Sequence, residues 1–436
     1  MVVRVVFTAL SSRRHRLSRK KAKLSPRLIW GPDSIINNKY YSLALQEAGF
    51  SSKTLMQSTK SIINSRSDYD IYYEDLAPKG FPKFFAIEIF HEYYFSSYSA
   101  FCFAVNNFDI FHHPFTGGFL RDTVLRKWEA RILRLAGCKT VILGYGGDFY
   151  RYSKILNSSW LHGMLTHYFE LGLQEPKTNT NVMYWSKNAD FIINGMQIDH
   201  LGRWDALPFR AEVIDLDAWK PKEIYSQNDG INGPVHIFHA PNHRVIKGTE
   251  FLIKAVEELQ TEGLEVHLIL MEKRPNEEVK KILHERTDIC FDQLNLGYAM
   301  SAIEGFASGI PVLTNLENEN YVRVFRRYSF LNECPALSVS HENLKDNLRI
   351  LIRNPKLREQ LGRAGRKYAA KYHSYRTAKE FFGAVYSKIW LEDKGKDLIN
   401  FYHPILAGSF NKSFPLVQHP LEENRIPSRL EETLQN

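Results

Sequence analysis

The chain has 436 residues, with 57 Lys and Arg against 48 Asp and Glu, so its formal net charge is +9. A hydrophobic content of 44% with 13% aromatic residues is enough for two cores and excludes a disordered chain. The positive charge suits anionic ligands or surfaces. Because no RNA- or DNA-binding motif accompanies it, no nucleic-acid partner is expected.

The N-terminal residues VVRVVFTAL predict a first strand at Val2–Thr8, since a secretory signal carries its positive charge before a longer apolar run. The basic segment Arg13–Lys23 follows. We interpret it as a solvated loop, with contact to an anionic membrane surface as the alternative. The aromatic stretch Phe84–Phe111 is interrupted by acidic residues and a histidine, so it is not expected to span a membrane.

Strand and helix patterns alternate through the first half of the chain, which predicts a parallel sheet with helices on both faces. A Pro-containing stretch at 211–223 is interpreted as an interdomain crossing. The predicted elements before it are helices at Tyr40–Ala48 and Leu125–Leu135 and strands at Lys53–Met56, Asp70–Tyr73, Asp109–His112, Thr140–Leu143 and Phe191–Asn194.

The second half begins with a predicted strand, His236–Ala240, followed by a short loop that contains Asn242, Arg244 and Lys247. Gly248 then opens an amphipathic helix. A helix N-terminus presents unpaired N–H groups and a partial positive charge, and two cations lie beside this one. The pattern therefore predicts an anion-binding site.

A second unusual helix follows the predicted strand Ile289–Phe291 and precedes another at Val312–Thr314. It carries Glu304 among apolar residues, next to Gly305, which costs about 1 kcal/mol in mid-helix unless something packs closely against it. A carboxylate in such a place needs a polar partner, and a pair of ribose hydroxyls is a suitable one.

These motifs together, Arg244-x-x-Lys247-Gly248 before a helix and Glu304-Gly-Phe-Ala-Ser-Gly-Ile-Pro-Val, resemble the donor half of GT-B glycosyltransferases of the retaining, family-4-like group. In that family the basic pair holds the diphosphate of a nucleotide sugar, and the Glu holds the ribose. The family often has an acidic residue where this chain has Leu296, and its Arg-to-Lys spacing is usually longer.

The resemblance implies an α/β fold with two Rossmann-like, doubly wound parallel-sheet domains facing a central cleft. The expected domains are an acceptor-side domain at 1–210, the crossing at 211–223, a nucleotide-sugar-binding domain at 224–385, and a C-terminal helix with a polar tail at 386–436.

His112 and His113 end a predicted strand, and Asp148 follows another, at the edge where ligands bind in open parallel sheets. For the histidines, the alternative is a loop residue satisfied by backbone groups, and for the aspartate it is a capped Gly-rich turn. The catalytic candidates are Lys247, Arg244, His112 and His113, and the donor-binding candidates are Glu304, Asn242, Gly248, Asp148, Gly147 and Ser301.

No metal site is expected. The short motifs Asp68-Tyr-Asp70 and Asp215-Leu-Asp217 are of a length that arises by chance. The four cysteines lie far apart without CxxC pairing, which indicates buried thiols in a reducing compartment. We therefore expect a cytoplasmic protein, peripheral at the inner face of the cell membrane in the alternative above, with no cofactor beyond its donor.

The expected function is transfer of a sugar from a nucleoside-diphosphate sugar to a glycan, a lipid-linked molecule or another acceptor, with retention, as in polysaccharide biosynthesis. Two alternatives stay open, a non-catalytic nucleotide-sugar-binding or scaffold subunit and a GT-B-fold nucleotide-sugar epimerase. A dehydrogenase is not expected, because no G-x-G-x-x-G follows the first predicted strand.

Overall fold

The computed structural model carries backbone and side chains for most of the chain, and for residues 88–94 and 199 it describes the backbone alone. The residues described are 1–58, 65–77, 88–194, 197–203, 205–207, 212–295, 297–318, 322, 331–393, 398 and 414–428.

The first sheet is parallel throughout and has the strand order β3-β2-β1-β4-β5-β6, the Rossmann order. Its strands are β1 (Leu28–Trp30), β2 (Ser52–Met56), β3 (Ile71–Tyr72), β4 (Ile110–His113), β5 (Lys139–Leu143) and β6 (Phe191–Ile193). The helices of this half are α1 (Val2–Lys21), α2 (Ile36–Glu47), α3 (Glu88–Asn107), α4 (Glu129–Leu135), α5 (Ser158–His167), α6 (Phe169–Leu173) and α7 (Glu175–Asn188).

The second sheet is also parallel, and its order β11-β10-β9-β7-β8 is the flavodoxin-like one. Its strands are β7 (Val235–His239), β8 (Val266–Leu270), β9 (Ile289–Gln293), β10 (Val312–Thr314) and β11 (Leu337–Ser338). The helices are α8 (Arg244–Lys247), α9 (Thr249–Thr261), α10 (Asn276–Arg286), α11 (Met300–Ala307), α12 (Leu344–Arg353), α13 (Pro355–Tyr372) and α14 (Tyr375–Ile389).

Both sheets are doubly wound, which confirms the predicted fold class. The central strands are buried along their whole length, as β4, β9 and β10 show. Burial of every residue in a strand is typical of parallel sheets covered by helices on both faces. The apolar runs at these strands are the reason that their positions could be predicted.

The chain forms two compact units, and their boundaries differ from those of the domains expected from the sequence. Unit 1 comprises Met1–Lys154, Glu170–Ala211 and Ala378–Ile399, and unit 2 comprises Ile155–Phe169, Glu212–Thr377 and Asn400–Asn436. The expected domains place 155–169 in the first and 378–385 in the second, whereas these segments fall in unit 2 and unit 1, respectively. The first segment contains α5, which packs against α8 of unit 2.

The predicted first strand, Val2–Thr8, was wrong, and so was the interpretation of Arg13–Lys23 as a loop. Val2–Thr8 and residues 13–21 lie in α1, a helix of 20 residues. The β-branched valines favour a strand, but helical spacing brings Val5 and Ala9 to one buried face that packs with α3. Packing thus overrides the local preference.

Two further elements differ locally from the prediction. The helix expected at Leu125–Leu135 begins only at Glu129, and the expected loop at 244–247 is a short helix, α8. Gly248 ends α8 in the left-handed conformation, with φ of 76°.

Part of the expected polar tail packs into unit 2. Leu421 and Ile426 belong to the core formed around β7 and β9. The side chain of Asn424 donates to the carbonyl oxygens of Cys334 and Ala336, at 2.7 and 3.1 Å. Apolar side chains spaced among Glu, Arg and Asn therefore hold residues 414–428 of the expected polar tail against unit 2.

Among the residues that the structure describes, no helix has the length and apolar character needed to cross a bilayer. All four cysteines are buried free thiols, as the sequence indicated.

Candidate functional site

The candidate site of unit 2 lies at the carboxyl ends of β7 and β9. These strands are neighbours, but the chain leaves β7 toward one side of the sheet and β9 toward the other. In open α/β sheets such a switch point forms a crevice where ligands bind. The segments that follow the two strands carry Lys247 and Glu304.

Lys247 is the last residue of α8 and is nearly buried. Its Nζ lies 3.1 Å from Oδ1 of Asp292, in β9. The backbone fixes this position from two sides, because Leu294 N–H donates to the carbonyl of Lys247 and the Asn295 amide donates to that of Ile246. Helix α8 is thereby tied to the loop after β9.

Asp292 is fully buried and accepts hydrogen bonds from three further groups. Its Oδ2 accepts from the backbone N–H of Ala299, at 2.8 Å, and from Thr314 Oγ1, at 3.2 Å. The hydroxyl of Ser301 donates to Oδ1. Asp292 therefore joins Lys247 to the start of α11, and Ser301 serves this carboxylate.

Glu304 lies one turn further along α11 and is half-buried. No hydrogen bond or ion pair holds its side chain within the part of the chain that the structure describes. Burial, and to a lesser extent the charge of Asp292, raise the pKa of Glu304 to about 8 although Lys247 partly offsets them. Glu304 thus presents a free carboxyl group beside the Lys247–Asp292 pair.

Close packing leaves no room for a side chain at two glycines of this site. A Cβ on Gly248 would lie 2.7 Å from Leu294, and its φ is positive. A Cβ on Gly305 would lie 2.8 Å from Val312 and 3.1 Å from Cys290. The close packing expected around Gly305 is confirmed, and Gly248 is needed for the turn between α8 and α9.

The structure does not bring Arg244 to this cluster. It is exposed, its Nε donates to Glu250 at 2.7 Å, and its Nη1 donates to Glu272 at 3.2 Å. Asn242 is exposed in the loop before α8. Leu296, where the family often has an acidic residue, lies outside the described residues.

His112 belongs to the core of unit 1. Its Nδ1 lies 3.0 Å from the carbonyl oxygen of Ile29, and its Nε2 lies 2.9 Å from the Tyr386 hydroxyl. The ring stacks on Trp30, with centroids 3.6 Å apart. Burial lowers the pKa of His112 to about 3. Both ring nitrogens of His112 are therefore engaged within unit 1.

His113 is equally buried but keeps one nitrogen free. Its Nδ1 donates to the carbonyl oxygen of Gly31, at 3.0 Å, while Nε2 has no hydrogen-bond partner in the described structure. Buried Glu129 is close by, because a Cβ on Gly118 would lie 2.6 Å from His113 Nε2 and 2.3 Å from Glu129 Oε1. Burial raises the pKa of Glu129 to about 8 and lowers that of His113 to about 4.

Asp148 caps the Gly-rich turn after β5. Its Oδ1 accepts from the N–H groups of Tyr145 and Gly146, both at 2.9 Å, and its Oδ2 accepts from Phe115 N–H at 2.9 Å. Burial raises its pKa to about 7. The alternative given for Asp148 is therefore the arrangement found, and Gly147 is exposed within that turn.

A second polar cluster lies at the carboxyl edge of the first sheet, at the switch point between β1 and β4. Asp33 forms an ion pair with Arg121. Its Oδ2 accepts from Thr116 Oγ1 at 3.0 Å and from the Tyr145 hydroxyl at 3.2 Å. Arg121 also donates to Gln57, which follows β2.

Three of the four acidic side chains in the two Asp-x-Asp motifs, those of Asp68, Asp70 and Asp215, have partners in the protein. Asp68 pairs with Lys39, at 2.6 Å, and Asp70 with Lys53, at 2.7 Å. Asp215 accepts from two backbone N–H groups of its own turn. In the described ranges, His, Cys, Asp and Glu side chains form no cluster that could hold a metal ion.

Sequence reasoning missed Asp292, Asp33, Arg121 and Glu129. A signal existed for the first two, since each acidic residue lies at or just after the end of an apolar strand. Arg121 and Glu129 follow no such pattern, because the fold alone brings them to the edge of the sheet.

Solved structures similar to this chain include the C-terminal domain of LpcC, a glycosyl transferase group 1 family protein from Francisella tularensis. It is 17% identical with a TM-score of 0.28, and the alignment covers 36% of this chain and 96% of that domain. The glycosyltransferase SnogD from Streptomyces nogalater is 12% identical with a TM-score of 0.40, over 83% of this chain and 99% of its own.

A UDP-glucosyltransferase from Polygonum tinctorium capable of glucosylating indoxyl is 11% identical with a TM-score of 0.41, over 84% of this chain and 98% of its own. No protein-family model and no curated protein matches the chain. The two parallel, doubly wound sheets of this chain define an α/β fold class.

Proposed function

We propose that this protein is a glycosyltransferase that moves a sugar from a nucleoside-diphosphate sugar to a glycan or lipid-linked acceptor, with retention of anomeric configuration. One observation carries the proposal. Lys247 and Glu304 lie at the same sheet edge, where buried Asp292 joins Lys247 to the start of α11. The Glu304 carboxyl group has no partner in the described structure. A cation and a free carboxyl group at a switch point suit a phosphate and a ribose, respectively.

The donor half of the mechanism follows from these positions. As the bond to the anomeric carbon loosens, negative charge grows on the departing diphosphate. The ammonium group of Lys247 stabilises that charge, and so do the first N–H groups of α9, which have no partner within their helix. Asp292 orients the ammonium group, and Glu304 binds the ribose hydroxyls. Arg244 contributes after exchanging its exposed ion pairs, which are worth little individually.

A divalent cation is not required in this proposal, because Lys247 and the helix terminus supply the positive charge that leaving-group departure needs. The proposed reaction therefore needs no cofactor besides the nucleotide-sugar donor.

The acceptor is proposed to bind at the edge of unit 1, where Asp33, Tyr145 and Arg121 meet. A carboxylate and a phenol hydroxyl can each bond to sugar hydroxyls, and a guanidinium group can bond to a phosphate or carboxylate. Asp33 and Arg121 are both partly exposed. Their ion pair can therefore open, and each side chain can bind a ligand group instead.

The position of His112 favours a second candidate, a non-catalytic nucleotide-sugar-binding subunit. A histidine expected to touch the donor sugar has both ring nitrogens engaged inside unit 1. Such a subunit would keep the donor site of unit 2 and lack turnover.

The test measures release of free nucleoside diphosphate from a panel of nucleotide sugars, with and without glycan and lipid-linked acceptors. Transfer predicts release that an acceptor stimulates and that persists with a chelator. An epimerase would change the sugar without releasing nucleotide, and a binding subunit would bind without release. Either of these results would replace the proposal.

A further inference from the structure

The outer face of α1 carries a stripe of exposed apolar side chains. Val3, Phe7 and Leu10 are 83%, 70% and 51% exposed, and Leu17 is 48% exposed. Positions separated by four, three and seven residues lie on the same side of a helix. Single exposed apolar residues are ordinary, but a contiguous row of them marks an interaction surface.

The opposite face of α1 is fixed firmly to unit 1. Val5 and Ala9 are fully buried against its core. Buried Arg16 pairs with Asp109 and donates to the carbonyl oxygens of Ala136 and Phe108, at 2.6 and 2.8 Å. The stripe is therefore presented by a helix that the fold holds in place.

Positive charge surrounds this stripe. Helix α1 contains no acidic residue, and Arg14 and Lys21 continue the outward face toward its C-terminal end. Arg4 flanks the stripe on one side. Arg13 and Lys20 flank it on the other, where Lys20 also pairs with Glu392. Beside the helix, a groove is lined by Ser11, Ser12, His15, Arg16, Arg27 and Asn106.

We propose that α1 docks unit 1 on the surface of an anionic lipid bilayer. The helix lies in the plane of the interface, with Val3, Phe7 and Leu10 inserted between headgroups and the flanking cations on lipid phosphates. An apolar stripe bordered by Lys and Arg is the pattern of interfacial helices, which combine apolar burial with attraction to anionic lipid. This inference does not depend on the proposed sugar transfer.

The combination of groups favours a bilayer over a protein partner or a second copy of the chain. The cations border the stripe on both sides along the helix, and a bilayer supplies anionic groups on all sides of an inserted apolar face. A second copy would bring the same basic face against this one, and like charges repel.

The experiment is flotation of the full chain with vesicles of phosphatidylcholine alone and of equimolar phosphatidylcholine and phosphatidylglycerol. We expect binding to the mixed vesicles and little to the neutral ones. Phe7→Ser with Leu10→Ser should weaken binding at least about tenfold. Arg14→Gln with Lys21→Gln should weaken it by about fivefold for each cation removed. These four side chains are exposed, and thermal unfolding should match the parent.

A control variant replaces an apolar residue in unit 2 that is more exposed than Phe7 or Leu10. Ile224→Ser, at a side chain that is 86% exposed, should leave flotation unchanged. The proposal is overturned if the parent ignores the mixed vesicles, binds both kinds equally, or keeps its affinity in both double variants. Sedimentation velocity without lipid gives an independent check, because a dimer lost on Phe7→Ser would assign the stripe to a second copy.

Discussion

The Nζ atom of Lys247 lies 3.1 Å from Oδ1 of Asp292, and the two side chains bridge the switch point between β7 and β9. The carboxylate is fully buried, and the side chain of Lys247 is only 10% exposed. Asp292 therefore holds a cation in place at the crevice before any ligand arrives. A diphosphate would compete with Asp292 for this cation without displacing the backbone and hydroxyl donors that also serve the carboxylate.

Replacing Lys247 alone should destabilise unit 2. Lys247→Met leaves the buried charge of Asp292 without its cation, and breaking a buried pair from one side costs about 3–5 kcal/mol. The double variant Lys247→Met with Asp292→Asn removes both charges and should recover most of that loss. Urea unfolding measures both free energies, and a single variant as stable as the parent would show that the pair contributes nothing to folding.

Glu304 should make stability fall with rising pH. Burial raises its pKa from 4.5 to about 8, so between these values the folded protein holds a proton that the unfolded chain has lost. The free energy of unfolding therefore decreases as pH rises through this window.

Glu304→Gln removes this dependence, and by pH 8 the variant should be more stable than the parent by about 1 kcal/mol or more. Glu129 and Asp148 also have raised pKa values, but both proteins contain them. Their contributions to the pH dependence of stability therefore cancel when the variant is compared with the parent. If the free energies of unfolding of the parent and the variant changed equally with pH, the pKa of Glu304 would be the same in the folded and unfolded states.

Arg16 should be the residue that holds α1 on unit 1. Arg16→Met removes its pairing with Asp109 and leaves the carbonyl groups of Phe108 and Ala136 without this donor. Because Arg19 and Arg27 still pair with Asp109, a loss of about 1–3 kcal/mol is expected in denaturant unfolding. The matched control is Arg14→Met on the exposed side of the same helix, which should change stability by less than about 0.5 kcal/mol. Equal effects of the two substitutions would contradict the anchoring role.

Gly118 should tolerate no side chain. The Cβ of Gly118→Ala would lie within 2.6 Å of both His113 Nε2 and Glu129 Oε1, so a destabilisation of about 1–3 kcal/mol is expected. The control is Gly163→Ala in α5, where no atom outside the local helix lies within 4 Å and alanine favours the helix by about 1 kcal/mol. Thermal unfolding of the two variants should shift in opposite directions, and a neutral Gly118→Ala would show that the two buried groups move apart easily.

Much of the fold could be predicted because parallel strands buried on both faces are short apolar runs. The runs at β4, β5, β7, β9 and β10 mark the positions of the strands in the sequence directly. The N-terminal residues show the limit of that inference. VVRVVFTAL satisfies strand preference locally, and only its packing on α3 and the anchoring of Arg16 decide for a helix.

The candidate site could be predicted where a charged residue follows an apolar strand in the sequence. Lys247 and Glu304 lie near the ends of apolar strands, and the structure places both at the same edge. Asp292 could not be assigned a role, because its partners lie up to 45 residues away in sequence. The sequence likewise could not show that His112 is closed off by Tyr386, which is 274 residues away.

The most direct test of nucleotide binding at the Lys247–Asp292 pair is calorimetric titration. Nucleoside diphosphates and nucleotide sugars are titrated into the parent chain and into the Lys247→Met, Asp292→Asn double variant. We expect the parent to bind at least one nucleotide. The double variant, folded and without either charge of the pair, should bind it at least tenfold more weakly, since a charge-assisted bond to phosphate is worth about 1.5–3 kcal/mol. Equal affinity of parent and double variant, or no binding of any nucleotide by the parent, would contradict nucleotide binding at this pair.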